Sequence, residues 1–221
     1  MAVNKDSTNR KAIPTLVKNP SLVTEKRAQI VDSAVALFIN KGYHQTTTRE
    51  IARSAGFSIG TLYEYVASKE DILYLVCDAI HDEIEMRLKE EISEEKDGLE
   101  TLEGAIRVYV QVCDRMQDPI VLIYRETASL DRESQQYVLQ NERRITDIFE
   151  TILKRGVSDG TVRFDGAPAL ELMAHNIVVL GHMWAFRRWF LRDAFSLDEY
   201  IRYQTSLILR ELRQRGGEEL S

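Results

Sequence analysis

Cysteine is scarce in this 221-residue chain, with Cys77 and Cys113 the only two. Two cysteines cannot build a disulfide scaffold, and they fit a reducing compartment. Prolines number only four, so helices can run with few interruptions. No long apolar run is present. The longest stretch, Leu170 to Phe186, is broken by Glu171, His175, Asn176 and His182, so a membrane span is not expected. The N-terminus lacks the apolar core of a secretory signal, which makes a cytoplasmic location the expectation. Internal repeats and low-complexity runs are missing too. No carboxylate cluster or activated nucleophile converges, so a nuclease, a recombinase or any other enzyme is not expected, and neither is a cofactor. Cys77, His81 and Glu85 share a metal-compatible spacing, but one helix is a thin donor set and no metal is expected.

Apolar residues make up 44% of the chain and charged residues 29%, an ordinary globular mix able to bury a sizeable core. Net charge is −6, which argues at first against a nucleic-acid partner. The distribution argues the other way. Residues 1–69 hold ten Lys/Arg against five Asp/Glu, and the remainder holds nineteen against thirty. This is a basic module on an acidic body. A DNA site needs a locally positive face to release counterions, not a positive total.

Residues 1–23 are polar, carry Pro14 and Pro20, and read as a mobile arm. From Thr24, Ile30, Val31, Ala34, Leu37 and Phe38 recur at helical steps, with Gly42 as the stop. Thr48 is the expected cap of a short helix to Ala55, and Gly56 can take the left-handed conformation that ends it. Ser58 then starts a third helix. Helix, tight glycine turn, helix suits a helix-turn-helix. Ser68 to Asp71 reads as a capping box opening a long helix with Leu73, Val76, Ile80, Ile84 and Leu88 on its apolar stripe. Further helices are expected over Leu99 to Gln117, from Asp118-Pro119, over Asp131 to Arg155 with Gly156 as the stop, over Pro168 to Arg192, and over Ser196 to Arg215. The class is all-α, about nine helices.

The third helix, IGTLYEY, is about two turns long, too short to stand alone in water. Leu62 and Val66 supply its packing. The rest of its composition suits the major groove, where a recognition helix reads base edges with its N-terminal residues. Gly60 lets the backbone approach DNA. Ser58 and Thr61 can bond bases or phosphates, Ile59 can meet a thymine methyl, Tyr63 and Tyr65 can donate to phosphates, and Lys69 adds charge.

Lys26 to Leu73, with its LF…KGY, TT.REIA..AG.S.GTLY.Y and SKE segments, resembles the DNA-binding domain of the TetR family of one-component transcriptional regulators. The resemblance implies an arm over 1–23, a helix-turn-helix domain over 24–67, and an effector-binding and dimerisation domain over 68–221. It also implies a homodimer on a near-palindromic DNA operator, most simply a repressor released by a small-molecule effector. Carried over by position, the DNA contacts are Thr47, Thr48, Arg49, Ser58, Ile59, Gly60, Thr61, Tyr63, Tyr65 and Lys69. Glu64 and Val66 depart from the family pattern, which puts base preference in question. A DNA-architectural protein without effector is the alternative.

Beyond the resemblance, Leu170 to Phe190 is apolar nearly all round, as in a helix buried on two sides. Gly181 permits close approach, which assigns Met173, Ile177, Gly181 and Trp184 to a subunit interface with Tyr200, Ile201, Ile208 and Leu212, as two helices of a four-helix bundle. The other side, His175, Val179, His182 and Phe186, is assigned to an effector pocket with Tyr109, Cys113 and Arg125. Arg125, Arg187 and Arg188 are candidates for an anionic group such as an acyl-CoA phosphate.

Overall fold

A computed structural model describes residues 12–91, 96–164 and 166–214. Among them every regular element is helical. In order these are α1 (Pro20–Lys41), α2 (Thr48–Ser54), α3 (Ile59–Tyr65), α4 (Lys69–Glu91), α5 (Gly98–Arg115), α6 (Gln117–Glu126), α7 (Arg132–Ser158), α8 (Ala167–Phe186), α9 (Arg188–Ala194) and α10 (Leu197–Gln214), with a 3-10 turn at Thr127–Ser129. The contacts divide into two compact units. One comprises Met1–His81 with Val121–Asn141, the other Asp82–Ile120 with Glu142–Ser221.

The first unit is built on α1, α2 and α3. Ile30, Ala34, Phe38, Ile51, Ala52, Leu62 and Val66 form its core and are almost fully buried. Each such aliphatic side chain contributes about 1.5–3 kcal/mol when removed from water, which is how a seven-residue helix is held. Helix α1 begins earlier than Thr24. Asn19 caps it by accepting from the Ser21 and Leu22 amides, and Pro20 occupies the first turn. The segment before it is not a free arm over its described part. Ile13 is buried, the Leu16 amide and the Thr15 hydroxyl donate to the Glu64 carbonyl, and Arg27 donates to the carbonyls of Ile13 and Tyr65. These bonds satisfy the last carbonyls of α3, which the helix itself leaves open. Residues 1–11 of the expected arm lie outside the described residues. Further along this unit, Asp78 of α4 is buried and accepts from the Tyr137 hydroxyl (2.8 Å) and the Asn141 amide (3.4 Å), both on α7.

The second unit packs α5 between α8 and α10. Helix α7 runs through Gly156 to Ser158, so that glycine does not stop it. Its purpose is proximity. A Cβ built on Gly98 would lie 2.2 Å from the Gly156 Cα, so the start of α5 and the end of α7 touch backbone to backbone. The expected single helix from Pro168 to Arg192 breaks at Arg187, whose backbone (φ −103, ψ 21) leaves the helical range before α9 resumes. The capping box at Ser196 and Glu199 is formed. The expected end of the last helix, Arg215, lies outside the described residues.

Candidate nucleic-acid interface

Helix α2 starts one residue before the expected position, because Thr47 rather than Thr48 is its cap. The Thr47 hydroxyl accepts from the Glu50 amide, and the Glu50 carboxylate accepts from the Thr47 amide, a reciprocal box. The Lys41 ammonium and the Thr47 groups beside it hold the Glu50 carboxyl down at about 2, so it stays ionised through the physiological range. Gly56 (φ 76) makes the left-handed turn between α2 and α3, a conformation that side chains resist. Ser58 caps α3 through the Thr61 amide, and the Ser58 and Thr61 hydroxyls lie 2.9 Å apart.

These caps leave one face open. Thr47, Arg49, Ser58, Ile59, Gly60 and Tyr63 are exposed, while Thr48, Thr61 and Lys69 are half-buried. The Tyr63 and Thr48 hydroxyls share a hydrogen bond of 3.1 Å, which ties α2 and α3 on that face. At Gly60 the fold has room to spare, since a Cβ there would meet only the Ser58 Oγ at 3.7 Å. Packing does not require glycine at this position. Lys69 lies over the Tyr43 ring (4.2 Å) with its Nζ donating to the His44 carbonyl, and burial lowers its pKa. Tyr65 differs from expectation. It is 5% exposed, packs beside Phe57 and belongs to the core, because its place on α3 points it at the three-helix interior. Its burial takes it off the open α2–α3 face, so it is not a DNA contact candidate.

Comparison with known proteins decides the kinship. Residues 30–74 match the bacterial regulatory proteins of the tetR family, and residues 95–212 match the tetracyclin repressor-like C-terminal domain. The chain is 34% identical over 197 residues to the HTH-type transcriptional regulator HbdR of Aromatoleum sp. (strain CIB), covering 89% of this chain and 84% of that one. The chain belongs to the TetR family. A solved regulatory protein of this family from Rhodococcus RHA1 superimposes with a TM-score of 0.74 at 25% identity, over 85% of this chain and 97% of that one. AibR, solved with isovaleryl coenzyme A and operator DNA, shares the fold at a TM-score of 0.68 and 18% identity, over 82% and 97% of the two chains.

Within this TetR-family chain, the second unit buries the side of α8 that was expected at the interface. Ile177, Gly181 and Trp184 face the chain's own core. A Cβ on Gly181 would lie 2.4 Å from the Tyr109 ring and 2.9 Å from the Cys113 sulfur, so the close approach that this glycine permits is to α5. Trp184 Nε1 donates to Asp114 (2.7 Å), and its ring lies 4.8 Å from that of Tyr200, whose hydroxyl donates to the Leu180 carbonyl. Tyr200, Ile201, Ile208 and Leu212 are buried within the same chain, and Met173 is half-buried. The eight residues assigned to the interface therefore belong mainly to the fold of a single chain. An apolar stripe does not by itself say which partner it meets.

The exposed side of α8 carries Leu172 (59% exposed), His175, Asn176 and Val179, and α10 exposes Tyr203 and Leu207 (60%). The expected effector residues are split. Tyr109, Cys113 and His182 are buried together, with the Tyr109 ring 5.4 Å from Phe149 and 6.3 Å from His182, and His182 6.0 Å from Phe186. His175 and Val179 are on the exposed side, and Arg125 is exposed in the first unit. Arg188 pairs with Asp118 and stacks on Trp189, so it is already engaged. Burial pushes both Cys77 and Cys113 up to about 12, so these thiols keep their protons. Helix α8 is long and apolar enough to cross a bilayer by length and composition, yet 44% of its 18-residue window is buried in the protein.

Proposed function

We propose that this chain is a cytoplasmic, dimeric, ligand-responsive repressor that binds a near-palindromic operator through α2 and α3. The open face around Gly60 carries the reading: hydroxyl, apolar and cationic side chains surround a glycine that the protein's own packing does not need. Thr47, Thr48, Arg49, Ser58, Ile59, Gly60, Thr61, Tyr63 and Lys69 make the contacts, with hydroxyls and cations on phosphates and the N-terminal turn of α3 on base edges. Dimerisation uses the exposed apolar groups of α8 and α10, Leu172, Val179, Tyr203 and Leu207, packed against their copies as a four-helix bundle. Such a stripe is what a soluble monomer avoids showing.

The effector binds the second unit near Tyr109, His182 and Phe186 and shifts the population toward a form whose two recognition helices no longer match successive major grooves. An acyl-CoA is the favoured class, in keeping with the ligand in the AibR complex. The decisive experiment is a fluorescence-anisotropy titration on duplexes selected from random DNA, repeated with a panel of acyl-CoAs. Tight, salt-sensitive binding relieved by one of the panel is the expected result. No binding to any selected duplex would contradict the DNA reading, and binding unmoved by the whole panel would contradict the effector class.

A further inference from the structure

A groove of about 530 Å³ is lined by residues of α5 and α10, and of the residues assigned above only Ile201 is among them. It is lined by Arg107 and Glu103 of α5 and by Asp198, Arg202 and Arg210 of α10, three guanidiniums against two carboxylates. Ile201 and Leu209 supply apolar lining. On α10, Arg202, Ser206 and Arg210 stand four residues apart and so form one line along the helix. Among the described residues none of the three guanidiniums has an ion-pair partner, and Arg202 lies over the Tyr203 ring (4.9 Å). Most other arginines of this unit are engaged: Arg143 with three carboxylates, Arg188 with Asp118 and Arg192 with Asp114.

The second observation is Thr205. It lines the groove, is only 5% exposed, and its hydroxyl makes no hydrogen bond among the described residues. A helical threonine ordinarily satisfies its hydroxyl on the carbonyl four residues back. Thr24, Thr101, Thr127, Thr146 and Thr151 all do so here. Thr205 departs from that habit, and a buried hydroxyl left open is rare in folded proteins.

We propose that the α5–α10 groove is a binding site for a small organic anion, a phosphate or carboxylate on an apolar body. Arg107 and Arg202 grip the anion through their planar forks, Thr205 adds a hydrogen bond, and Ile201 and Leu209 take the apolar part. The volume falls within the range of small-molecule sites. The site is separate from the candidate effector residues, since Arg107 is exposed on α5 while Tyr109 is wholly buried.

Calorimetric titration of the full chain with phenyl phosphate at constant ionic strength tests this. The expected result is one saturable site per chain, weakened about tenfold by Arg107→Gln or Arg202→Gln. Thr205→Val, nearly the same shape, weakens it several-fold while leaving the melting temperature and operator binding in place. Tyr63→Phe on the DNA face leaves phenyl phosphate binding unchanged. No saturable heat at concentrations on the order of 10 mM, or binding undiminished in both arginine variants, overturns the site. Full affinity in Thr205→Val, with inorganic phosphate binding as well as phenyl phosphate, overturns the proposed mode of recognition.

Discussion

Replacing Gly60 by alanine should move stability and DNA affinity in opposite directions. Gly60 sits in the first turn of α3, and a Cβ there meets nothing closer than the Ser58 Oγ at 3.7 Å, an ordinary contact. Its backbone needs no left-handed conformation, so alanine loses nothing there. The substitution removes the extra unfolded-state freedom of glycine and should stabilise the free protein by about 0.5–1 kcal/mol. For a chain of this size that is a rise of roughly 2–4 °C per kcal/mol in melting temperature. On DNA the same methyl stands between the α3 backbone and the groove. Displacing one well-made base contact costs about 1–3 kcal/mol, or about 5- to 150-fold in affinity. Urea melts of the free protein, with anisotropy titrations on one selected duplex, read both effects. An affinity that stays level or rises as the protein stabilises would refute the account of why glycine is there. A loss of free-protein stability would mean that the fold itself needs Gly60.

Gly181→Ala should act the other way on stability: the new Cβ would crowd the Tyr109 ring at 2.4 Å, and overpacking of about 1–3 kcal/mol outweighs the helix gain, so the urea midpoint falls while the dimer persists. A monomeric but equally stable variant would return Gly181 to the interface. Leu207→Glu combined with Val179→Asp charges two exposed positions and should yield a folded monomer in analytical ultracentrifugation; an unchanged dimer would move the interface elsewhere. Stability should also fall in alkali. Cys77 and Cys113 are raised from 9.0 to about 12 by burial, so the unfolded chain releases protons that the folded chain keeps. Their contribution is whole below about pH 9 and is lost as pH rises toward 12, with Tyr200, also raised to about 12, adding the same sign. Urea midpoints at about pH 8 and about pH 10 should differ less in the Cys77→Ala/Cys113→Ala variant; an equal difference would contradict the burial argument.

The DNA-binding half was legible because its signals are local. Caps, a left-handed glycine and short apolar patterns report on neighbours within a few residues, and Ser58, Gly56 and Ser68 were read correctly on that basis. Even there Tyr65 misled, since an aromatic on a two-turn helix serves the core as readily as a phosphate. The second unit was less legible because its pattern is not local. Helix α8 is apolar nearly all round, and nothing in the sequence says whether Gly181 approaches α5 of its own chain or a helix of a partner. Gly156 has the same ambiguity: the pattern of a stop and the pattern of a close contact with Gly98 are alike in sequence. Asn19 and Pro20 carried a legible start signal for α1 that the apolar periodicity, beginning later, obscured.

The measurement that bears most directly on the account is selection of bound duplexes from a random DNA library by the full-length protein, followed by sequencing. One enriched near-palindrome is expected, with half-sites about 10 base pairs, or a small multiple of one turn, apart. Tyr63→Ala should weaken binding to every selected sequence, whereas Thr61→Val should change which sequences are selected. Recovery of unenriched DNA, or of the same motif with undiminished affinity by both variants, would contradict the assignment of the α2–α3 face to an operator.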